Sequence, residues 1–130
     1  PLPTQLGNLK SLTDFWSFAN DLTGSVPSQL GQLTAIETLD LSYNMLNGSL
    51  PTELGLLTNL KYLSLEYNAF TGKVPSELGL LTNLKSLNLH GNSFRGLFPS
   101  EICLLVAFYK LEVVVDCTSV ICVCCQCASV

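Results

Sequence analysis

The chain has few charged residues and few groups suited to acid–base or metal chemistry. Only 12% of its 130 residues are Asp, Glu, Lys or Arg, and histidine occurs once; soluble domains usually carry about 25% charged residues. The six basic residues are scattered along the chain and form no run: Lys10, Lys61, Lys73, Lys85, Arg95 and Lys110. A phosphate backbone is bound by clustered cations, so we expect no nucleic-acid partner.

The chain also lacks a basic and apolar leader at its N-terminus. Residues 113–130 are largely apolar, but Asp116 and Gln126 interrupt them. A membrane span needs about 20 predominantly apolar residues. We therefore expect membrane contact only through segments outside this chain. Residues 1–4 match the end of a repeat at 49–52, so we expect the chain to begin inside a longer array.

The chain does contain a strict sequence repeat, and the spacing between Pro3 and Pro27 along the sequence is its interval. Proline, glycine, asparagine and leucine each recur at this interval. The columns are Pro3, Pro27, Pro51, Pro75, Pro99; Gly24, Gly48, Gly72, Gly96; Asn20, Asn44, Asn68, Asn92; and Leu6, Leu30, Leu54, Leu78. A fixed short period of this kind predicts a solenoid, in which each unit buries its apolar face by stacking on its neighbours.

Within one repeat, Leu39-Asp40-Leu41 alternates with the period of a β-strand, so both leucines point inward and Asp40 points outward. Stacked coils would pair such strands in parallel. Asn44 follows the strand, and its amide can donate and accept, which satisfies backbone groups where the chain turns. Gly48 and Pro51 then shape the far side of the coil.

The spacing LxxLxLxxNxLxGxLPxxLGxL, read from Ile36 to Leu57, resembles the plant-specific subclass of leucine-rich repeats. The resemblance covers residues 1–116 and implies an α/β-type solenoid, mostly β, that is a right-handed horseshoe segment with a parallel sheet on its concave face. It also implies a second set of short strands. We predict about five coils, the first partial at 1–5, followed by a Cys-rich C-terminal cap at 117–130 that is similar to the ends of algal, diatom-like members.

The first and last repeats depart from this pattern. In the first, Ser17 replaces an inward leucine, and Trp16 and Phe18 take the outward positions on either side. The aromatic pair indicates either a capped end or a contact point at the rim of the concave face. In the last, Asp116 stands one full repeat interval after Asn92. A carboxylate accepts but cannot donate, so Asp116 would close one side of the asparagine ladder.

The outward strand positions form mixed columns on the concave face. One column runs Trp16, Asp40, Ser64, Asn88, Glu112, and another runs Asp14, Thr38, Tyr62, Ser86, Lys110. Interleaved aromatic and polar groups on a rigid sheet are typical of a recognition surface, although any exposed strand face needs polar residues. The predicted binding residues are Trp16, Phe18, Asp40, Tyr43, Tyr62, Glu66, Tyr67 and His90.

Ser64, Glu66 and His90 lie on neighbouring predicted strands and superficially offer a nucleophile, an acid and a base. Catalysis would also need a nucleophile–base hydrogen bond, oxyanion donors and an enclosed, water-poor pocket. An open sheet of short strands does not supply that enclosure. We therefore expect no enzyme activity, no catalytic residues and no cofactor.

All six cysteines follow residue 100: Cys103, Cys117, Cys122, Cys124, Cys125 and Cys127. They favour disulfides that fold the tail over the final apolar layer of Leu104, Leu105, Phe108 and Val113. The alternative is thiolate metal binding, but the spacing lacks the paired C-x-x-C of structural zinc sites. We predict disulfides and no metal site, with the pairing open.

One glycosylation sequon, Asn47-Gly48-Ser49, lies on a predicted turn and matters only in a secreted chain. The sequence thus favours a non-enzymatic module, extracellular or at the cell surface, that binds a protein, peptide or glycan on its concave face. The resemblance implies receptor ectodomains and secreted inhibitors as common uses. The alternative is a structural solenoid of a cell surface or wall, or one that faces ice or mineral, with no specific ligand.

Overall fold

The computed structural model describes residues 1–128, which form a solenoid of stacked coils. The predicted fold is confirmed. The strands are β1 (Asp14–Trp16), β2 (Thr23–Gly24), β3 (Thr38–Asp40), β4 (Met45–Gly48), β5 (Tyr62–Ser64), β6 (Ala69–Gly72), β7 (Ser86–Asn88), β8 (Ser93–Phe94), β9 (Gly96–Leu97), β10 (Glu112–Val115), β11 (Val120–Ile121) and β12 (Gln126–Cys127). Four 3₁₀ helices cover Thr4–Asn8, Ser28–Gln32, Thr52–Leu56 and Ser76–Leu80, and the α-helix α1 covers Ser100–Tyr109.

The main sheet is parallel and has the order β1-β3-β5-β7-β10-β12. Its first four strands pair with a shift of one repeat interval, so that Phe15 lies beside Leu39, and Leu39 beside Leu63. Leu39, Leu63 and Leu87 are buried. The outward residues between these apolar positions form the face that we call the concave face. The predicted second strand set is also present, as the parallel sheet β2-β4-β6-β8 and the pair β9-β11.

The asparagine column forms a ladder of hydrogen bonds between coils. The Nδ2 of Asn68 donates to the carbonyl oxygen of Leu41 in the preceding coil at 2.9 Å, and its Oδ1 accepts from the N–H of Leu46 at 2.9 Å. Asn44 and Asn92 make the same pair of bonds one coil away. These amides satisfy backbone groups that the short strands leave free, as the sequence predicts.

The side of the coil opposite the main sheet is built from the 3₁₀ helices, each preceded by a proline with an extended backbone. One glycine per coil lets these helices pack closely. A Cβ at Gly55, for example, would lie 2.5 Å from the carbonyl oxygen of Glu77 in the next coil. The glycine column therefore sets how tightly consecutive coils stack.

The last repeat corrects two details of the predicted register. There α1 replaces a short 3₁₀ helix and ends at Tyr109, and the capping residue Lys110 that follows has a φ of 57°. This longer connection lengthens the register step, so that Glu112 lies beside Ser86 and Val114 beside Asn88. The predicted places of Lys110 beside Ser86 and of Glu112 beside Asn88 are therefore wrong.

Asp116 is displaced by the same shift and does not occupy the asparagine position of its coil. It still accepts a hydrogen bond at the end of the ladder, from the backbone N–H of Asn92 to Oδ2 at 3.2 Å. The tail that follows adds β12 beside β10, which extends the main sheet, and β11 beside β9, which makes the separate two-stranded pair. The division into an array and a cap stays a prediction, and residues 129–130 of that cap lie outside the described residues.

The core is one continuous apolar cluster that runs the length of the solenoid. Leu105 and Val113 belong to it as predicted, but Leu104 is 56% exposed and Phe108 is 76% exposed. Both side chains lie on the outer side of α1, so the tail does not cover them. Among residues 1–128, no helix is both long and apolar enough to cross a membrane.

Candidate functional site

A shallow pocket of about 360 Å³ lies on the concave face across β1, β3 and β5. Its lining brings together an exposed indole, a carboxylate and an exposed phenol. The lining residues are Trp16, Thr38, Asp40, Tyr62 and Ser64. Trp16 and Asp40 are register partners, as are Asp40 and Ser64 and also Thr38 and Tyr62. The strand pairing alone therefore places these groups side by side.

Asp40 is held in place by the next outward residue of its own coil. Its Oδ1 accepts hydrogen bonds from the backbone N–H of Ser42 at 3.0 Å and from the Ser42 hydroxyl at 2.6 Å. Ser42 itself is buried. Both of these bonds use the same carboxylate oxygen, which orients the carboxylate on the sheet.

A second group of aromatic residues lies just beyond the strand ends. The rings of Tyr43 and Tyr67 stack with their centroids 4.6 Å apart, and Tyr67 meets the imidazole of His90 edge-on at 5.0 Å. The two tyrosines have φ values of 53° and 52°, in the left-handed region. This turn of the backbone after each strand places both rings at the rim of the concave face.

Glu66 and His90 follow β5 and β7, and His90 contacts the ring of Tyr67. The Oε2 of Glu66 and the Nδ1 of His90 are buried and have no hydrogen-bond partner among the described residues. Burial raises the pKa of the Glu66 carboxyl, and the negative charge of Asp40 raises it further. A bond from the backbone of Glu66 itself and the nearby His90 act in the opposite direction. No bond joins Glu66 to His90 as a catalytic pair would require.

The structure thus brings most of the predicted binding residues together in two adjoining groups. Trp16, Asp40 and Tyr62 line the pocket, while Tyr43, Glu66, Tyr67 and His90 form the neighbouring rim group. Phe18, in the first coil, is 53% exposed and neither lines the pocket nor belongs to the stacked rim rings. Thr38 and Ser42 were not among the predicted binding residues, and Ser64 was considered only as a nucleophile. The available signal was their position on the outward faces of the predicted strands.

The six cysteines form three disulfides: Cys103–Cys124, Cys117–Cys127 and Cys122–Cys125. The sulfurs of Cys103, Cys122 and Cys124 lie within 4.8 Å of one another. Each of them is bonded to a second sulfur and is therefore not a thiolate ligand. Asn47 is exposed, but it lies in β4 and not in a turn as predicted.

Two larger grooves, of about 560 and 670 Å³, flank α1 on the side away from the concave face. Their linings are mainly apolar and include the exposed side chains of Leu80, Leu97, Leu104 and Phe108. The larger of the two also has a carboxylate, Glu101, beside the exposed rings of Phe108 and Tyr109, all on α1. The concave pocket is smaller, and its carboxylate and aromatic side chains lie on paired strands of the main sheet.

The chain belongs to the leucine-rich repeat family, because three consecutive units match the family model described as Leucine Rich Repeat, at residues 35–57, 59–81 and 83–105. None of the curated proteins compared with the chain matches it.

Solved structures with the same fold include ectodomains of plant receptors. The BIR3–SERK2 complex from Arabidopsis thaliana contains a chain 40% identical over 79% of this chain, with a TM-score of 0.75. A structure of the Arabidopsis receptor kinase HAESA with the peptide hormone IDA and the co-receptor SERK1 is 31% identical over 85%, with a TM-score of 0.78. A plant ice-binding protein is 28% identical over 96%, with a TM-score of 0.80. The chain spans 55%, 18% and 38% of these three chains, respectively.

Proposed function

We propose that the chain is a non-enzymatic recognition module that binds a peptide or a protein on its concave face. The observation that carries the proposal is the aromatic and acidic surface made by the pocket and the rim group. Trp16, Tyr43, Tyr62 and Tyr67 are each between 44 and 64% exposed, although Leu39, Leu41, Leu63 and Leu65 in the same strands and turns are buried. Rigid aromatic side chains supply contact area at a low cost in conformational entropy, and they dominate many interfaces.

Two further observations support this function. The Arabidopsis receptor kinase HAESA has the same fold and is described in complex with a peptide hormone and a co-receptor. The three disulfides of this chain are typical of an oxidising compartment, which supports an extracellular or cell-surface location.

The constant repeat interval supports membership of the plant-specific subclass of leucine-rich repeats. A glycan ligand would use the same aromatic surface.

The proposal is tested by selecting ligands from a random peptide library displayed on messenger RNA, with the intact chain immobilised. Affinities of the selected peptides are then measured by calorimetry for the wild type, Tyr67→Ala and Lys73→Ala. Tyr67 lies in the rim group, whereas Lys73 is exposed on the other side of the coil. We expect Tyr67→Ala to weaken binding by more than about 1 kcal/mol and Lys73→Ala to leave it unchanged. Equal losses from both, or selected peptides that bind only beside α1, would contradict the proposal.

A second candidate, an ice-facing solenoid, is favoured by one observation, the similarity to a plant ice-binding protein. Flat rows of one residue type, such as threonine ladders, suit that function. The outward columns here mix aromatic, acidic and polar residues, as in Trp16, Asp40 and Ser64. Growth of ice crystals in the presence of the chain is the direct test, and inhibition at micromolar concentration would favour this second candidate.

A further inference from the structure

The pocket between Trp16 and Tyr62 has the composition of a site for a cation. Its lining presents one carboxylate, Asp40, between two large aromatic side chains that are 64 and 44% exposed. Its volume of about 360 Å³ is at the low end of the usual range of 300–1,000 Å³ for small-ligand pockets. It therefore suits one side chain of a larger ligand better than a whole drug-sized molecule.

Two carboxylates, Asp40 and Glu66, lie on this part of the concave face, and neither is in a salt bridge within the described chain. Within the described residues, 1–128, the one salt bridge joins Lys61 to Glu37 at 2.7 Å. It involves neither Asp40 nor Glu66. The carboxylate of Asp40 is close enough to Glu66 for its charge to raise the pKa of that group. Two carboxylates on one face, neither of them in a salt bridge, attract a positive group from a ligand.

We propose that this pocket binds a guanidinium group, the side chain of an arginine in a bound peptide or protein. The inference rests on the proposed function and names the chemistry that the concave face selects. A guanidinium is planar, so it stacks on the indole of Trp16 or the phenol of Tyr62 while its N–H groups donate to Asp40. Both of the hydrogen bonds that Asp40 accepts from Ser42 go to its Oδ1, which leaves its Oδ2 for the ligand.

The geometry favours arginine over the other charged groups. An ammonium is a compact, strongly hydrated charge that lacks the flat face needed to stack between two aromatic side chains. A carboxylate or phosphate would meet the negative charges of Asp40 and Glu66 at close range. Ser64 lies beside Asp40 in the register, where its hydroxyl can accept a further N–H bond.

Trp16 is the single tryptophan of the chain, so its indole N–H resonance reports on this pocket alone. N-acetyl-arginine amide is titrated into the isotope-labelled intact chain, and N-acetyl-citrulline amide serves as a neutral probe of the same shape. We expect the arginine derivative to shift the Trp16 resonance saturably and the citrulline derivative to leave it in place. Equal shifts from both probes, or no shift from the arginine derivative, would overturn the inference.

Asp40→Asn tests the carboxylate directly. Asparagine keeps an Oδ1 that can accept the two bonds from Ser42, so the fold is retained, which a thermal melt checks. We expect the variant to bind the arginine derivative about tenfold more weakly, as for other hydrogen bonds to charged groups. The matched control, Asp21→Asn, removes the same charge from an exposed residue of the Trp16 coil outside the pocket and should bind as the wild type does. Undiminished binding by Asp40→Asn would contradict the inference.

Failure of this inference can be separated from failure of the proposed function. In the peptides selected on the concave face, each arginine is replaced by citrulline. If those peptides bind equally well afterwards and still depend on Tyr67, the recognition surface stands and the guanidinium site is wrong.

Discussion

The ring of Tyr67 occupies the space that a side chain at position 91 would need. A Cβ built on Gly91 would lie 2.7 Å from Cδ1 of Tyr67. Position 91 is in the left-handed region, with φ of 67°, but so are Ala19, Tyr43 and Tyr67 at the equivalent places in earlier coils. Backbone conformation alone therefore does not explain this glycine. The absence of a side chain at position 91 instead leaves room for the Tyr67 ring, which meets His90 edge-on.

We expect Gly91→Ala to displace the Tyr67 ring and to reduce the free energy of unfolding by about 1–3 kcal/mol, as overpacking does elsewhere. In a Tyr67→Ala background the same change should cost about 1 kcal/mol less, because the clash with the ring is gone, while the left-handed conformation and the contact with the backbone nitrogen of residue 67 remain. Urea denaturation of the two single variants and the double variant measures this coupling. Additive losses would show that the ring does not require the glycine.

The asparagine ladder supplies a second prediction. Asn68→Ala leaves the N–H of Leu46 without its partner and removes one of the two amide bonds to the carbonyl of Leu41, so we expect a loss of about 1–3 kcal/mol in the free energy of unfolding. The matched control is Asn20→Ala in the first coil, where the amide is exposed and bonds only the nearby carbonyl of Phe18. That change should cost less than about 0.5 kcal/mol. Similar losses at both positions would mean that the bonds between coils do not provide the stability.

The raised pKa of Glu66 predicts how stability depends on pH. A carboxyl whose pKa is higher in the folded state than its usual 4.5 binds its proton more tightly when folded. Its stabilising contribution is complete below the unfolded value and is lost as the pH rises through the folded pKa. Glu66→Gln keeps the neutral form at every pH, so it should gain stability over the wild type as the pH rises above 4.5.

The gain is measured as the difference in melting temperature between Glu66→Gln and the wild type across that pH range. Glu53→Gln, at an exposed position far from the concave face, corrects for the loss of one negative charge at neutral pH. A Glu66→Gln variant that is less stable than the wild type at pH 7 would show that ionised Glu66 is held by a favourable partner.

The disulfides should differ in their contribution according to the loop each closes. Cys103–Cys124 joins residues 21 apart and Cys122–Cys125 residues 3 apart. In the chain-entropy model, closing these loops in the unfolded chain stabilises the fold by about 3 and about 1.5 kcal/mol, respectively. Replacing both cysteines of a pair by serine, which leaves no unpaired thiol, should reduce stability in that order, as measured in urea. Reductant should lower the unfolding midpoint, whereas a chelator should not, and the reverse result would indicate a metal site.

Much of the fold follows from the sequence because its information is local and repeated. Alternating leucines specify which strand face is buried, and Asn44, Asn68 and Asn92 recur where strand ends need an amide. The predicted pairing of Glu112 with Asn88 was wrong because the constant repeat interval ends before the last coil. The longer helix α1 lengthens that connection, and this change depends on how the helix packs against the preceding coil.

The candidate site was only partly predictable. The outward columns place Trp16, Asp40 and Tyr62 on one face, since strand alternation and a constant period are enough to do so. The sequence by itself therefore determined the stacking of the coils, the buried frame and the face on which each residue lies. Only the tertiary structure decided the disulfide pairing, the longer register step at the last coil, and the packing of Tyr67 over Gly91. These depend on contacts between side chains of different coils, which no local periodicity encodes.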